Sequence, residues 1–187
     1  MKHKLLCTLG LIVLGWAVFA AIPAEAVNGI ETYYATPSWD QTLSSNVRFT
    51  VLTNMSGQAV LDQETGLVWE KSPSSHLDSW ENAQNYCNLL TTGNRMGWRL
   101  PTLQELESLV DPSRASPALP VGHPFSNVDT AGTTYWSATT GADPTTTPPP
   151  PGWAWALGFI SGGVAPLDKT SLQLHWCVRG GKGVDPQ

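Results

Sequence analysis

Two cysteines, Cys87 in the middle of the chain and Cys177 near its end, constrain the fold more than any other feature of the sequence. The third cysteine, Cys7, lies in an apolar N-terminal run that we expect to be removed. An even number of cysteines in an exported chain favours a disulfide, because exported proteins fold in an oxidising compartment. The alternative is two separate buried thiols. A Cys87–Cys177 bond would require two distant parts of the chain to meet in one domain.

The N-terminus has the pattern of a secretory signal peptide. Lys2 and Lys4 form a positively charged start, residues 5–21 are apolar and uncharged, and an A-x-A cleavage signature ends at Ala26. We therefore expect residues 1–26 to be cleaved. The mature protein is then extracytoplasmic (periplasmic, on the cell surface or secreted) and has no membrane anchor. The alternative is a retained anchor, since the apolar run is at the lower limit of what spans a bilayer.

One domain is predicted over residues 47–182, after an irregular lead-in over 27–46 and before a short tail over 183–187. The formal net charge is −5, and the sequence contains no run of basic residues. Nucleic acids and anionic lipid surfaces are therefore poor partners on electrostatic grounds. No feature of the sequence indicates an oligomeric state.

Hydrophobic patterns predict a mixed domain in which strands flank two helices. The β-prone runs, each bounded by turn residues, are residues 48–53, 58–62, 67–69, 134–139, 153–160 and 172–179. Long loops are expected over 112–130 and 145–151, where prolines disfavour regular structure. This order predicts an α+β fold with a mostly antiparallel sheet, two helices and long loops.

The first predicted helix begins after Asp78, with Glu81 completing a capping box, and ends at Gly93. Residues at helical spacing should form its buried stripe, so that one of the two cysteines points inward from the helix. These residues are Trp80, Ala83, Cys87 and Leu90.

The second predicted helix begins after Thr102, with Glu105 as the capping-box partner, and ends at 111–112. Its apolar stripe consists of Leu103, Leu106, Leu109 and Val110. Arg99 lies just before this helix, so we interpret Trp98, Arg99 and Glu105 as structural, with Arg99 and Glu105 in a partly buried ion pair. The alternative is a ligand-binding arginine.

Residue types that usually carry catalysis or bind metals form no recognisable pattern. The histidines of the predicted domain, His76, His123 and His175, have no metal-ligand spacing to one another or to the cysteines. There is no nucleophile elbow and no phosphate-binding loop. Glu105 and Glu107 are two residues apart on one helix and face different sides. We therefore predict no catalytic residue, no metal site and no cofactor, and expect that the protein is not an enzyme.

Tryptophan is frequent, with nine residues, of which all but Trp16 follow the predicted cleavage site. Such residues form the core or an exposed platform for the apolar face of a sugar ring. The alternation of Trp153 and Trp155 with Leu157 and Phe159 favours the core. Trp153 also follows a proline-rich loop, where binding residues are common. The candidate ligand-binding residues, around a groove formed by 122–130 and 141–153, are Trp153, Asn127, Asp129 and Asp143.

Several segments together resemble one known family. They are residues 65–69 (TGLVW), Trp80, Ala83, 86–87 (YC), 98–102 (WRLPT), 105–106 (EL), 135–137 (YWS) and 177–181 (CVRGG). Over about residues 47–181 the chain resembles the Lcl C-terminal domain family, named for a bacterial collagen-like adhesin. The resemblance implies a C-type lectin-like fold, which is similar to that of the formylglycine-generating-enzyme group. It also implies a disulfide from the first helix to the last strand, between Cys87 and Cys177.

The same resemblance implies an exported, non-enzymatic recognition module of the adhesion type that binds a glycan or a cell-surface protein. The Glu-Pro-Asn and Trp-Asn-Asp calcium triplets of sugar-binding C-type lectins are not in this sequence, so we expect calcium-independent binding. The collagen-like repeat and the catalytic cysteine pair of formylglycine-generating enzymes are not in it either. The alternative is a structural or accessory extracytoplasmic protein, or a degenerate relative of those enzymes, with no small ligand.

Overall fold

The described part of the chain, residues 43–141 and 152–180 of a computed structural model, contains two β-sheets, three α-helices and two short 3₁₀ turns. In chain order the elements are α1 (Ser45–Arg48), β1 (Phe49–Val51), β2 (Ala59–Asp62), β3 (Leu67–Glu70), α2 (Trp80–Leu89), β4 (Trp98–Arg99), α3 (Leu103–Ser108), β5 (Tyr135–Gly141), β6 (Trp153–Gly158), β7 (Gly163–Asp168) and β8 (Val178–Arg179). The larger sheet has the order β1-β2-β3-β8-β4 and the smaller one β5-β6-β7. All of these neighbours pair antiparallel. The predicted α+β class with mostly antiparallel strands is therefore confirmed.

The strands predicted in the runs 48–53, 58–62 and 67–69 form a meander, since β1, β2 and β3 pair in sequence order. Gly57 and Gly66 have φ angles of 69° and 70° in the two turns between these strands. Glycine adopts this left-handed conformation without a steric cost, which explains its place in both turns.

Arg48 lies in α1 rather than in the predicted first strand, which begins at Phe49. Its side chain is 1% exposed, and its guanidinium donates to the two carboxylate oxygens of Asp62 at 2.9 and 2.8 Å and to the Ser108 carbonyl at 2.7 Å. A buried charge is tolerated when it is paired and hydrogen-bonded. The helical turn therefore holds Arg48 between the larger sheet and α3, although irregular structure was predicted up to residue 46.

α2 begins later and ends earlier than the sequence predicts. Ser79 is the N-cap, and its hydroxyl accepts a hydrogen bond from the Asn82 N–H at 3.4 Å. Asp78 instead pairs through its backbone with Gln173, which takes it out of the helix. Gly93, the predicted stop, lies in a separate turn with a φ of 66°. The capping box predicted for Asp78 is therefore wrong.

α3 begins as predicted, with both hydrogen bonds of the capping box present. The Thr102 hydroxyl accepts from the Glu105 N–H at 3.2 Å, and the Glu105 carboxylate accepts from the Thr102 N–H at 2.8 Å. The helix ends at Ser108, before the predicted end at 111–112. The Ser108 hydroxyl donates to the Glu105 carbonyl at 2.7 Å, a local bond that competes with continuation of the helix.

β7 is a strand that sequence analysis missed, because Pro166 lies inside it. The Lys169 N–H, just beyond the strand, donates to the Gly152 carbonyl at 2.6 Å. Since N–H groups alternate in direction along a strand, the backbone nitrogen of Pro166 points away from β6. β7 is an edge strand of the smaller sheet, and an outward nitrogen at an edge needs no hydrogen for the sheet.

Two other predicted strands are shorter in the structure. β6 ends at Gly158, and the run 172–179 contains only isolated bridges and the two residues of β8. The segment 112–130 contains no helix or strand, as predicted. The predicted signal peptide, most of the lead-in, the loop 145–151 and the tail lie outside the described residues.

The predicted disulfide between Cys87 and Cys177 is present, with an S–S distance of 2.07 Å, and joins α2 to the residue before β8. It lies in one of two hydrophobic clusters, beside Trp98 and Trp136. The other cluster surrounds Trp176, whose ring centroid is 4.9–5.9 Å from those of its aromatic neighbours Trp69, Phe125, Tyr135 and Phe159. The core interpretation is therefore confirmed for four tryptophans, Trp69, Trp98, Trp136 and Trp176.

Candidate functional site

One face of β6 carries two half-buried tryptophans, Trp153 and Trp155. Ala154 and Ala156, which alternate with them, are fully buried in the cluster that contains the disulfide. Small side chains therefore face this core, and the indoles face the other side of the sheet. The prediction of a common core face is wrong for the two half-buried tryptophans and right for Leu157 and Phe159, which are fully buried.

Trp155 lies against the neighbouring strands on both sides. A Cβ atom on Gly141 of β5 would be 3.4 Å from the indole nitrogen of Trp155 and 3.7 Å from the Cβ of Pro166 on β7. The missing side chain of Gly141 thus leaves room for the indole, and Pro166 lies beside it. This packing explains why Trp155 is half-buried.

Asp168 is the polar neighbour of Trp153 on this face. The two residues are directly opposite in the β6–β7 register, so their side chains lie on the same side of the sheet. Oδ1 of Asp168 accepts hydrogen bonds from the N–H and the hydroxyl of Thr170 at 2.8 and 2.7 Å. These bonds hold the pKa of Asp168 below its ordinary value and keep an exposed, ionised carboxylate beside the indole.

Sequence reasoning missed Asp168 because it missed β7. The available signal was the alternation around Pro166, together with the turn-forming residues Asp168 to Ser171 that follow.

Asn127 and Asp129, two of the predicted ligand-binding residues, hold the loop before β5. The side-chain amide of Asn127 donates to the hydroxyl of Ser72 at 3.0 Å. Oδ2 of Asp129 accepts from the backbone N–H groups of residues 131–133 at 2.9–3.1 Å. Bonds from one carboxylate to successive N–H groups fix a turn, which gives Asp129 a structural role.

This loop is far from Trp153. The hydroxyl of Tyr135, the first residue of β5, accepts from the Asp129 N–H at 2.7 Å, whereas Trp153 lies opposite Gly141, the last residue of β5. Leu157, which pairs with Tyr135, is four residues from Trp153 on β6, and a strand rises by about 3.3 Å per residue, so roughly 13 Å separates the two positions along the strand. Residues 142–151, with Asp143, lie outside the described residues, so the groove predicted between 122–130 and 141–153 stays a prediction.

A separate cleft of about 450 Å³ lies between α2 and the end of β7. Trp80 is its aromatic residue, with the indole N–H donating to the Ser137 carbonyl at 2.8 Å. The Lys169 ammonium is 4.0 Å from the centroid of the Trp80 ring, a cation–π distance. We call this surface the Trp80 cleft; its lining residues are Ser79, Trp80, Glu81, Gln84, Lys169 and Thr170.

The predicted ion pair between Arg99 and Glu105 is present and bidentate, with both N–O distances at 2.7 Å. Arg99 also donates to the Gly180 carbonyl at 2.9 Å, and Trp98 beside it is buried. Arg99 therefore links β4, the first turn of α3 and the residue after β8.

Four titratable side chains, those of Glu70, Asp78, Tyr86 and His175, lie near one another. Burial raises the pKa of Glu70 to about 7. The hydrogen bonds that its carboxylate accepts from the Cys177 N–H and the Thr92 hydroxyl lower this pKa, but by less. Burial lowers the pKa of His175, which lies 3.6 Å from an Asp78 oxygen and whose ring is tilted by 56° against that of Tyr86. Burial, and then the charges of Glu70 and Asp78, raise the pKa of Tyr86. None of the four groups opens onto the Trp80 cleft.

Within residues 43–141 and 152–180, no group of three or more His, Cys, Asp or Glu side chains is arranged to hold a metal ion. No helix in the described part of the chain is long and apolar enough to cross a bilayer.

Comparison with known proteins identifies the family of this chain. A search of curated proteins gave no match. A family model described as the Lcl C-terminal domain matches residues 58–179. The match begins just before β2 and ends with β8, so it includes the disulfide, the smaller sheet and the Trp80 cleft. Because it spans more than half of the sequence, the chain belongs to the Lcl C-terminal domain family.

Proposed function

We propose that this protein is an exported, non-catalytic recognition domain of the adhesion type that binds a glycan at Trp153 and Asp168. The observation that carries the proposal is a half-buried indole beside an ionised, exposed carboxylate on one sheet face. A pyranose ring has an apolar face of C–H groups and a rim of hydroxyls. The indole stacks on the apolar face of the sugar, and the carboxylate accepts hydrogen bonds from the sugar hydroxyls.

Family membership supports the adhesion-type role, and the C-type lectin-like fold remains an expectation from the resemblance described above. Fold analogy alone does not define a ligand, so the proposal rests on the side chains of the site. The sequence lacks the calcium triplets of sugar-binding C-type lectins, and we propose binding that is insensitive to chelators.

Export is part of the proposal. The Cys87–Cys177 bond supports it, because structural disulfides persist in oxidising compartments outside the cytoplasm. The signal-peptide pattern of residues 1–26 also supports export. N-terminal sequencing of exported material should begin at Val27.

The affinity of one such site should be low. Stacking on one aromatic ring contributes about 1–3 kcal/mol, which, with a few hydrogen bonds, corresponds to dissociation constants from millimolar to high micromolar. Useful adhesion at this affinity needs several copies on one surface, where avidity multiplies weak sites.

Trp153→Ala should abolish or strongly weaken glycan binding and change the melting temperature by only a few degrees, because the side chain is half-buried at one end of the sheet. A glycan array on the disulfide-bonded protein identifies the ligand, and titration by calorimetry or NMR compares the variants. Addition of EDTA should leave binding unchanged.

Asp168→Asn provides the sharper test, with Asp111→Asn as its control. Asp111 is an aspartate whose Oδ1 accepts from the N–H and hydroxyl of Ser113, two residues on, as Asp168 does from Thr170. Asp168→Asn should weaken binding and Asp111→Asn should not. Equal effects of both variants, or a blank screen at high protein concentration, would refute glycan recognition at this face.

A further inference from the structure

We propose that the Trp80 cleft is a second binding site, for an uncharged pyranose ring, on the opposite side of the smaller sheet from Trp153. This inference rests on the glycan recognition proposed above and adds a separate site with its own residues. At about 450 Å³ the cleft is in the size range of small-ligand pockets.

The aromatic wall of the cleft is held rigidly. The Trp80 indole N–H donates to the Ser137 carbonyl at 2.8 Å, and its backbone N–H donates to the Lys169 carbonyl at 3.0 Å. Trp80 also packs against the hydrophobic cluster around the disulfide. A ring held by its own N–H bond, by packing and by a fixed backbone loses little freedom when a ligand stacks on it, which favours binding.

The polar groups around Trp80 balance in charge. Lys169 contributes one cation, Glu81 one carboxylate and Gln84 an amide that both donates and accepts. A ligand carboxylate or sulfate attracted by Lys169 would meet Glu81 and a protein of net charge −5. Hydroxyl groups bond well to either charge, so the cleft favours an uncharged, polyhydroxylated ring.

Lys169 covers the Trp80 ring, with its ammonium 4.0 Å from the ring centroid. Lys169 is half-buried, and stacking of a sugar face on the same ring offsets the loss of the ammonium–indole contact. The displaced ammonium then donates to the hydroxyls of the ligand. The Lys169 backbone stays in place, because its N–H is bonded to Gly152 and its carbonyl to Trp80.

The end of β7 connects the two proposed sites. Asp168 lies opposite Trp153, and Lys169, the next residue, reaches the Trp80 ring. Because successive side chains of an extended segment point to opposite faces, the two neighbours serve sites on different sides of the sheet. The protein would thus hold two sugar residues at once.

The two sites can be followed separately, because each tryptophan gives one indole N–H signal in a ¹⁵N–¹H NMR spectrum. The disulfide-bonded protein is titrated with methyl β-galactopyranoside, methyl α-mannopyranoside and methyl β-glucopyranoside. Glucuronate and heparin are the anionic comparators. We expect at least one neutral glycoside to shift the Trp80 signal saturably at millimolar concentration, and the anionic probes to have a smaller effect.

Gln84→Ala and Lys169→Met should each weaken the Trp80 response about three- to tenfold, the range expected for loss of one hydrogen bond to a ligand. Methionine keeps the apolar stem of lysine over the ring and removes the charge. Gln104→Ala, at an exposed glutamine of α3, is the control and should have no effect. Melting temperatures of all three variants verify that each protein is folded.

The outcomes separate this inference from the proposed function. A Trp80 response that persists in Trp153→Ala supports the second site even if the first one fails. If neutral glycosides shift only the Trp153 signal, the first site stands and the second is refuted. The second site is also refuted if the Trp80 signal responds only to glucuronate or heparin, or if Gln84→Ala and Lys169→Met bind like the control.

Discussion

Glu70 is a carboxylic acid held in the core at the end of β3. It accepts hydrogen bonds from the Cys177 N–H and the Thr92 hydroxyl, which favour its charged form, but burial outweighs them and raises its pKa to about 7. In the unfolded chain the same group titrates near its ordinary value of 4.5. Between these two pH values the folded protein binds more protons at Glu70, so this residue makes stability fall as pH rises.

The prediction concerns Glu70→Gln, which keeps the shape of the side chain and an oxygen that can accept from Cys177. Relative to the wild type, the variant should gain stability as pH rises from about 4.5 to about 7, by a few kcal/mol at most. Urea denaturation at several pH values measures the difference. Parallel curves for the two proteins would show that Glu70 is not protonated in the folded state.

His175 changes the stability with pH in the opposite direction, so its contribution must be separated from that of Glu70. Burial lowers its pKa, so its contribution to stability is present above the unfolded value of 6.5 and is lost as pH falls below it. The difference between wild type and Glu70→Gln cancels this contribution to first order. Among the described residues neither ring nitrogen of His175 has a hydrogen-bond partner, and Asp78 is the nearby carboxylate at 3.6 Å.

At the scale of elements, the Arg99–Glu105 pair connects β4 to α3 and to the residue after β8. Both side chains keep some contact with solvent, at 19% and 16% exposure, so the pair is neither a surface bridge nor a fully buried one. Removal of Arg99 leaves Glu105 to cap α3 without its cation and leaves the Gly180 carbonyl without its donor.

Arg99→Ala should therefore lower the free energy of unfolding by about 2 kcal/mol, between the values for exposed and buried pairs. Thermal unfolding followed by circular dichroism measures the effect, with Arg95→Ala on a neighbouring exposed arginine as the control. If Arg99→Ala kept full stability and abolished glycan binding, Arg99 would be a ligand-binding residue.

Local patterns predicted some elements better than others. The capping box of α3 depends on residues three apart, and it forms as the sequence indicates. The cap of α2 could not be predicted in the same way, because the backbone of Asp78 is taken by Gln173, a partner far along the chain. β7 was missed for a related reason, since a proline is compatible with a strand only when that strand lies at an edge.

The candidate site depends on register, which local patterns do not contain. Trp153 was recognised from its type and its place after a proline-rich loop. Its partner Asp168 follows only from the pairing of β6 with β7. The Trp80 cleft likewise requires that α2 meet the end of β7, a contact between residues that are distant in sequence.

At the scale of the whole molecule, β8 lies between β3 and β4, so a strand from the end of the domain completes a sheet begun at its start. The Cys87–Cys177 bond closes a loop of 90 residues around this arrangement. Replacement of both cysteines by alanine should reduce the free energy of unfolding by about 2–5 kcal/mol, mainly because the unfolded chain gains freedom.

Denaturation of the wild type and the double variant, each in the presence and absence of a reductant, measures this contribution. Thiol titration of the denatured, unreduced wild type should give no free thiol. Two titratable thiols, or a double variant as stable as the wild type, would contradict a stabilising bond.

The same bond has a consequence for proteolysis. Any single cut between Cys87 and Cys177, including one in the threonine- and proline-rich segment 145–151, leaves two polypeptides that stay covalently joined. Both pieces retain partners across the cut, since β5 pairs with β6 and β3 with β8. A protease can therefore nick this domain without releasing either half, and the nicked molecule stays one species, heavier by one water, until a reductant is added.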